Sequence, residues 1–223
     1  EAAWFRPCML GKERLGLFVP LTGSCEFIRR DFLEKVGGWD SLSITEDIEL
    51  AARTVEARGR IRYAPDVVCF QEYPSSFLQL VRQRTRWARG YLETLLKHSK
   101  LMERPNKMTV DVEFTLTRPI VLNLVLLAYA ITAVGILIPQ AIGNSTLLAL
   151  AEGTSILTAG MLLIHGILIF HQIQPMRLRN LIWIPLVYGY WAMQALIAAY
   201  AFLQFCSRKP AVWVKTEKTG RVT

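Results

Sequence analysis

The run Phe77-Leu78-Gln79-Leu80-Val81-Arg82-Gln83-Arg84-Thr85-Arg86-Trp87 decides how this chain is read. From Phe77 onward, Phe77, Leu80, Val81, Trp87, Ala88, Tyr91, Leu92, Leu95 and Leu96 form an apolar stripe at helical spacing, with Arg82, Arg86, Arg89 and Glu93 on another side. Residues three and four apart share a helix face, so Gln83, Arg86 and Trp87 converge. An amide, a guanidinium and an indole at one spot suit a sugar phosphate. The guanidinium fork pairs with phosphate oxygens, the amide bonds hydroxyls, and the flat indole covers the apolar face of a pyranose. The acidic triplet Thr45-Glu46-Asp47 ends 36 positions before Gln83, and Asp47 is then a candidate base.

Outward from this stretch the pattern changes several times. Residues 1–26 mix apolar, glycine and charged positions with no clean period, as expected of a segment lying against a sheet from outside. Phe27, Ile28, Phe32, Leu33 and Val36 predict a helix ended by Gly37-Gly38. Ser43 precedes Glu46 at capping-box spacing, and Glu46, Asp47 and Glu49 fall in the first turn of a helix that buries Ile48, Ala51, Ala52 and Val55 and closes at Gly59. Acidic residues there stabilise a helix through its dipole by roughly 0.3–1 kcal/mol, so the triplet alone reads as a cap. Gln83, Arg86 and Trp87 downstream are what turn it into a candidate site. Residues 60–63 and 67–70, split by Pro65-Asp66, are rich enough in β-branched side chains to predict two short strands, and Pro74-Ser75-Ser76 breaks the chain before the helix at Phe77.

The second half is apolar. Residues 119–141, 147–170 and 181–206 each approach the roughly 20 residues needed to cross hydrocarbon. Glu152 and Gly153 interrupt the second, and Trp183, Tyr188, Tyr190 and Trp191 crowd one end of the third, as near a headgroup layer. Glu152 is a functional candidate by position, though a segment end explains it equally. With Arg118 inside, Arg177 and Arg179 are also inside, but three full crossings would put Arg208, Lys209 and Lys215 outside, against the charge rule. The segment 181–206, with its Pro185, is therefore expected to lie partly in the interface or to re-enter.

Charge follows the same division. Of a net +8, residues 1–118 carry 19 Lys and Arg against 16 Asp and Glu, while residues 208–223 carry 5 against 1. A basic tail beside apolar spans attracts anionic lipid headgroups and argues against nucleic acid as a partner. Cys8, Cys25, Cys69 and Cys206 show neither a C-x-x-C pair nor zinc spacing to a histidine, so thiols are expected to be reduced and no metal knuckle is predicted. His98, His165 and His171 are scattered and read as structural.

In this order, Thr45-Glu46-Asp47 and Gln83-x-x-Arg86-Trp87 resemble the membrane-embedded family 2 glycosyltransferases, relatives of the cellulose, hyaluronan and poly-N-acetylglucosamine synthases. The resemblance takes in Gly23-Ser24-Cys25, Arg29-Arg30-Asp31-Phe32-Leu33 and Val36-Gly37-Gly38-Trp39-Asp40 upstream. Downstream, Trp213-Val214-Lys215-Thr216-Glu217-Lys218-Thr219-Gly220 is similar to a gating loop. It implies an α/β fold plus membrane helices: residues 1–75 as the C-terminal part of a GT-A-type transferase domain, 76–118 as an amphipathic interface helix region, 119–207 as about three membrane segments, and 208–223 as a basic tail with the gating loop. It further implies that Asp47 takes the proton from an acceptor hydroxyl as that oxygen attacks the anomeric carbon of a nucleotide sugar, with inversion. Gly23, Ser24, Thr45, Glu46, Gln83, Arg86 and Trp87 would then bind acceptor and substrate, and Thr216 and Lys218 the nucleotide phosphates.

The implied donor is a UDP-sugar and the implied acceptor a saccharide or lipid-linked sugar, at a cell membrane with the catalytic side cytoplasmic. Mg²⁺ or Mn²⁺ is implied as well, on ligands in an N-terminal half, since no Asp-x-Asp precedes Gly23 and Asp111-Val112-Glu113 follows the site motifs. The chain opens on Glu1 and reads as a fragment, or as one part of a split enzyme with a separate N-terminal half, that is not expected to turn over alone. The competing expectation is a catalytically inactive membrane anchor or scaffold subunit.

Overall fold

A computed structural model describes residues 2–172, 182–210 and 213. Among the described residues eight α-helices follow one another: α1 (Ala2–Leu15), α2 (Arg30–Lys35), α3 (Glu46–Glu56), α4 (Phe77–Lys97), α5 (Lys107–Leu116), α6 (Arg118–Leu137), α7 (Ser145–Gln172) and α8 (Trp183–Cys206). Short 3-10 turns lie at Ser99–Glu103 and Pro139–Ala141. The chain divides into two compact units, one built chiefly from Trp4–Pro119 with Tyr200–Thr223 and the other from Ile120–Ala199.

In the first unit, α3, α4 and α5 close around Phe18, Ile48, Ala51, Ala52, Leu101, Val112 and Leu116, with Leu21, Val55, Ile61, Tyr91, Leu95 and Met108 packed outside them. Burying each large side chain of this set contributes about 1.5–3 kcal/mol. The termini of the helices are fixed locally. Ser76 Oγ accepts from Gln79 N at 3.3 Å ahead of α4, and Asn106 with Thr109 forms a reciprocal capping box at the start of α5. After α2 the chain turns through Gly37 and Gly38 at φ +88° and +74°, a conformation that glycine adopts without steric cost.

Three expectations are corrected here. Residues 2–15 form a helix rather than an irregular cover, because its positions are held by polar contacts that apolar periodicity does not show: Lys12 Nζ reaches Asp111 Oδ2 at 2.7 Å, and Glu13 takes Arg62 and the Tyr63 N–H. Residues 60–63 and 67–70 are not strands, and no strand occurs among the described residues, so the α/β class and the GT-A sheet are not seen. The physical reason is the missing ladder. The Tyr63 N–H goes to a carboxylate, the Val67 N–H turns back to Ala64 O at 3.3 Å, and Val67, Val68 and Phe70 face solvent. Finally, Thr45 rather than Ser43 precedes the first turn of α3, and its side chain makes no capping bond.

In the second unit, α6, α7 and the part of α8 within it are apolar on nearly all sides, as lipid-facing helices are. Arg118–Leu137, Ser145–Leu168 and Pro185–Cys206 are each long and apolar enough to cross a membrane, with mean hydropathies of 2.5, 1.8 and 1.4. Helices α6 and α7 approach closely at Gly135, where an added Cβ would stand 2.4 Å from Leu148 Cδ1. A row of hydroxyls links them: Thr132 Oγ1 to Ser155 Oγ at 3.1 Å, Tyr129 to Ser155 O at 3.3 Å, and Thr158 Oγ1 to Tyr129 at 3.1 Å. The third segment does not re-enter as a hairpin. It is one uninterrupted helix with Pro185 in its first turn, where the missing N–H has no intrahelical partner to lose.

Candidate functional site

A cleft of about 490 Å³ in the first unit is walled by Gly23, Ser24, Cys25, Glu26, Trp39, Glu46 and Asp47. One wall is a tight turn. Glu26 accepts from the Thr22 N–H and from Gly23 N at 2.7 Å, while Gly23 and Cys25 take φ of +76° and +55°. The other wall is the first turn of α3, and the two meet tightly: a Cβ on Gly23 would lie 3.0 Å from Asp47 Oδ2. Glycine is needed there both for its left-handed backbone and for this approach.

Asp47 is half-buried, and its Oδ1 accepts from Ile48 N at 2.8 Å. Burial pushes its carboxyl up to about 6, the Glu46 and Glu26 carboxylates add to the rise, and the Ile48 N–H opposes it. Near neutral pH such a group is mostly ionised yet basic enough to take a proton, which is the condition for a general base.

Helix α4 supports this turn from the other side. Arg86 Nη1 donates to Ile44 O at 2.7 Å, and its buried Nε has no hydrogen-bond partner. Burial lowers the Arg86 value, while Glu46 and Asp47 pull it back up, so the cation and the acidic turn share one field. The two helices touch through Gly90, whose Cβ would fall 2.1 Å from Thr45 Oγ1. Thr45 is buried, and its hydroxyl has no hydrogen-bond partner.

Behind the cleft lies a second acidic centre. Glu49, with 1 % of its surface exposed, accepts from Arg53 at 2.7 Å and from Lys97 at 2.6 Å, and meets His98 Nε2 at 3.2 Å. Burial alone would push its carboxyl up, but the bonds from His98, Lys97 and Arg53 outweigh it and hold the group at about 2. His98 also meets Glu56 Oε1 at 2.8 Å through Nδ1. Burial would lower its value, yet its two carboxylate partners raise it. His98 is thus a structural histidine, wedged between the two carboxylates.

The geometry therefore gathers Gly23, Ser24, Glu46 and Asp47 around one cleft, with Thr45 and Arg86 behind the same turn. Gln83 and Trp87 are half-buried on α4 and are not among the cleft walls; the Arg84 guanidinium lies 4.1 Å from the Trp87 ring centre. Thr216 and Lys218 lie outside the described residues. Sequence reasoning gave no role to Cys25, Glu26 or Trp39 in the walls, to Glu49 behind them, or to Gly90 at the helix contact. A lone glycine inside a helical stripe was the available signal for Gly90. Among the described residues no group of three or more His, Cys, Asp or Glu side chains is placed to hold a metal ion.

Three membrane-length helices joined to a unit with this cleft define the class, a membrane protein. The family follows from residues 2–206, which match the description "Glycosyl transferase family group 2", and the chain belongs to that family. Over 70 residues it is 41% identical to the probable glycosyltransferase YdaM of Bacillus subtilis (strain 168), a match covering 31% of this chain and 17% of that protein. Over 78 residues it is 36% identical to the poly-beta-1,6-N-acetyl-D-glucosamine synthase of Staphylococcus aureus (strain COL), covering 34% and 19%. A probable glycosyltransferase of Sulfolobus acidocaldarius is 33% identical over 90 residues, covering 40% of this chain and 19% of that protein. The matched stretch is thus about a fifth of the length of these curated relatives. No solved structure matches the chain.

Proposed function

We propose that this chain carries the acceptor side of an inverting sugar transfer at a cell membrane, with Asp47 as the general base and the catalytic face cytoplasmic. The observation that carries the reading is a carboxyl raised to about 6 in the wall of a cleft. The acceptor hydroxyl gives its proton to Asp47 as its oxygen forms a bond to the anomeric carbon. The bond from that carbon to the nucleoside diphosphate breaks, and the diphosphate leaves with the electron pair. Arg86 provides the positive field for that leaving group, and Gln83 and Trp87 contact the sugar being extended. The donor is a nucleotide sugar, with a UDP-sugar the first to test. The acceptor is a saccharide or a lipid-linked sugar, and the names of the staphylococcal relatives make an N-acetylglucosamine polymer the first product to seek. Mg²⁺ or Mn²⁺ would neutralise charge on the donor diphosphate, held chiefly by ligands on a donor-binding half.

The test uses the full-length transferase, or this chain supplied with a donor-binding half, in membranes with Mg²⁺ or Mn²⁺. Asp47→Asn is expected to lower transfer by about 10²–10⁴, the usual contribution of a general base. Equal transfer by variant and parent would leave the anchor or scaffold reading in its place.

A further inference from the structure

Arg89 is a buried cation that the transfer chemistry above does not use. Only 8 % of it is exposed, and it stands three residues after Arg86, on the same face of α4. Its Nε donates to Glu93 Oε1 at 2.9 Å, which balances its charge within the helix. The two remaining nitrogens reach out of the helix altogether. Nη2 bonds the carbonyl oxygen of Lys209, and Nη1 bonds that of Pro210 at 3.5 Å. A guanidinium fork spans two successive carbonyls in a way that a single ammonium does not.

The chain beyond α8 is shaped to meet this fork. Arg208 turns it through φ +51°, a left-handed conformation that costs a non-glycine residue about 1–2 kcal/mol, and Lys209 N closes the helix end on Gln204 O at 3.2 Å. Three residues past Pro210, the Trp213 ring centre lies 5.8 Å from the Arg86 guanidinium, with the indole 53 % exposed. One face of α4 thus grips the returning chain with Arg89 and meets its indole with Arg86.

We propose that Arg89 is a positioning residue: by holding the carbonyls of Lys209 and Pro210 it fixes where the chain after α8 meets α4, and so sets Trp213 against Arg86. This rests on the preceding reading only in assigning a substrate to Arg86. Because the bonds go to backbone oxygens, the Lys209 side chain has no part in it.

Limited trypsin digestion of the full chain in detergent micelles tests the anchor without any catalysis, by following cleavage after Arg208, since the next peptide bond precedes Pro210 and resists the protease. Arg89→Gln is expected to speed this cut about tenfold, the scale on which one charge-assisted hydrogen bond shifts a local opening. Arg89→Lys should fall between, and Lys209→Ala should match the parent. A parental rate for Arg89→Gln overturns the proposal, as does faster cutting at Arg53 and Lys97 as well, because that reports loss of the fold rather than release of this segment. In the full-length transfer assay, Arg89→Gln should raise KM for the nucleotide sugar about tenfold with kcat within about twofold. An unchanged KM overturns the link to Arg86. Since the digestion reads no transfer, a silent Asp47→Asn would end the proposed function and leave the anchor standing.

Discussion

Two faces of α3 treat a carboxyl in opposite ways. On the face towards the cleft, Asp47 is half-buried beside two other carboxylates with one backbone N–H for support, and its value rises to about 6. Two residues later, on the face towards α4, Glu49 is buried more deeply but surrounded by Arg53, Lys97 and His98, and it is held at about 2. Burial alone therefore does not decide the protonation of an acid. The partners do, and the difference separates a group kept ready to accept a proton from one committed to structure.

The largest effect expected from breaking this contrast is the loss of transfer in Asp47→Asn described above. Next is Glu49→Gln, which leaves Lys97, His98 and Arg53 without their shared carboxylate. Breaking a buried pair from one side costs about 3–5 kcal/mol, seen as a lower unfolding midpoint at pH 6. A cost below that of an exposed ion pair would show that the cluster is dispensable. Gly90→Ala follows at about 1–3 kcal/mol, because the new methyl meets the Thr45 side chain and forces α3 from α4. A neutral result in thermal unfolding would mean that this contact does not set the helix spacing.

The smallest effect has the opposite sign. The folded value of Asp47 stands above the ordinary 3.8, so its ionisation weakens the fold increasingly from pH 3.8 to about 6 and fully above that. Asp47→Asn should thus stabilise the protein by about 1–2 kcal/mol at pH 8, allowing for its partial exposure, and by nothing measurable at pH 3.5. Glu49 runs the other way: its stabilisation is complete above the ordinary 4.5 and is lost as pH falls towards 2. Protonated His98 adds stability that is complete below 6.5 and fades as pH rises through its higher folded value. The cluster behind the cleft is accordingly strongest between about pH 4.5 and 6.5, where unfolding of the His98→Ala variant should differ most from the parent.

What could be read from sequence was what local spacing encodes. The stripe from Phe77, the acidic start of α3, the stop at Gly37-Gly38 and the three apolar runs all depend on residues within a few turns of one another. The strands at 60–63 and 67–70 failed because a strand is defined by its partner, and β-branched side chains alone supply none. Helix α1 was missed because Lys12 and Glu13, not an apolar stripe, hold it. The Glu49–His98 pair lies 49 residues apart, and composition gives no sign that either would be buried. Arg89 falls in sequence on the side of the helix that carries Arg82, Arg86 and Glu93, and a helical stripe does not show that another part of the chain returns to cover it.

That return makes the end of the described chain depend on a single side chain. The Arg89 guanidinium reaches the main-chain oxygens of Lys209 and Pro210, so side chains on that stretch can be exchanged without touching the bonds that hold it. Sequence variation is therefore tolerated at position 209 and not at position 89.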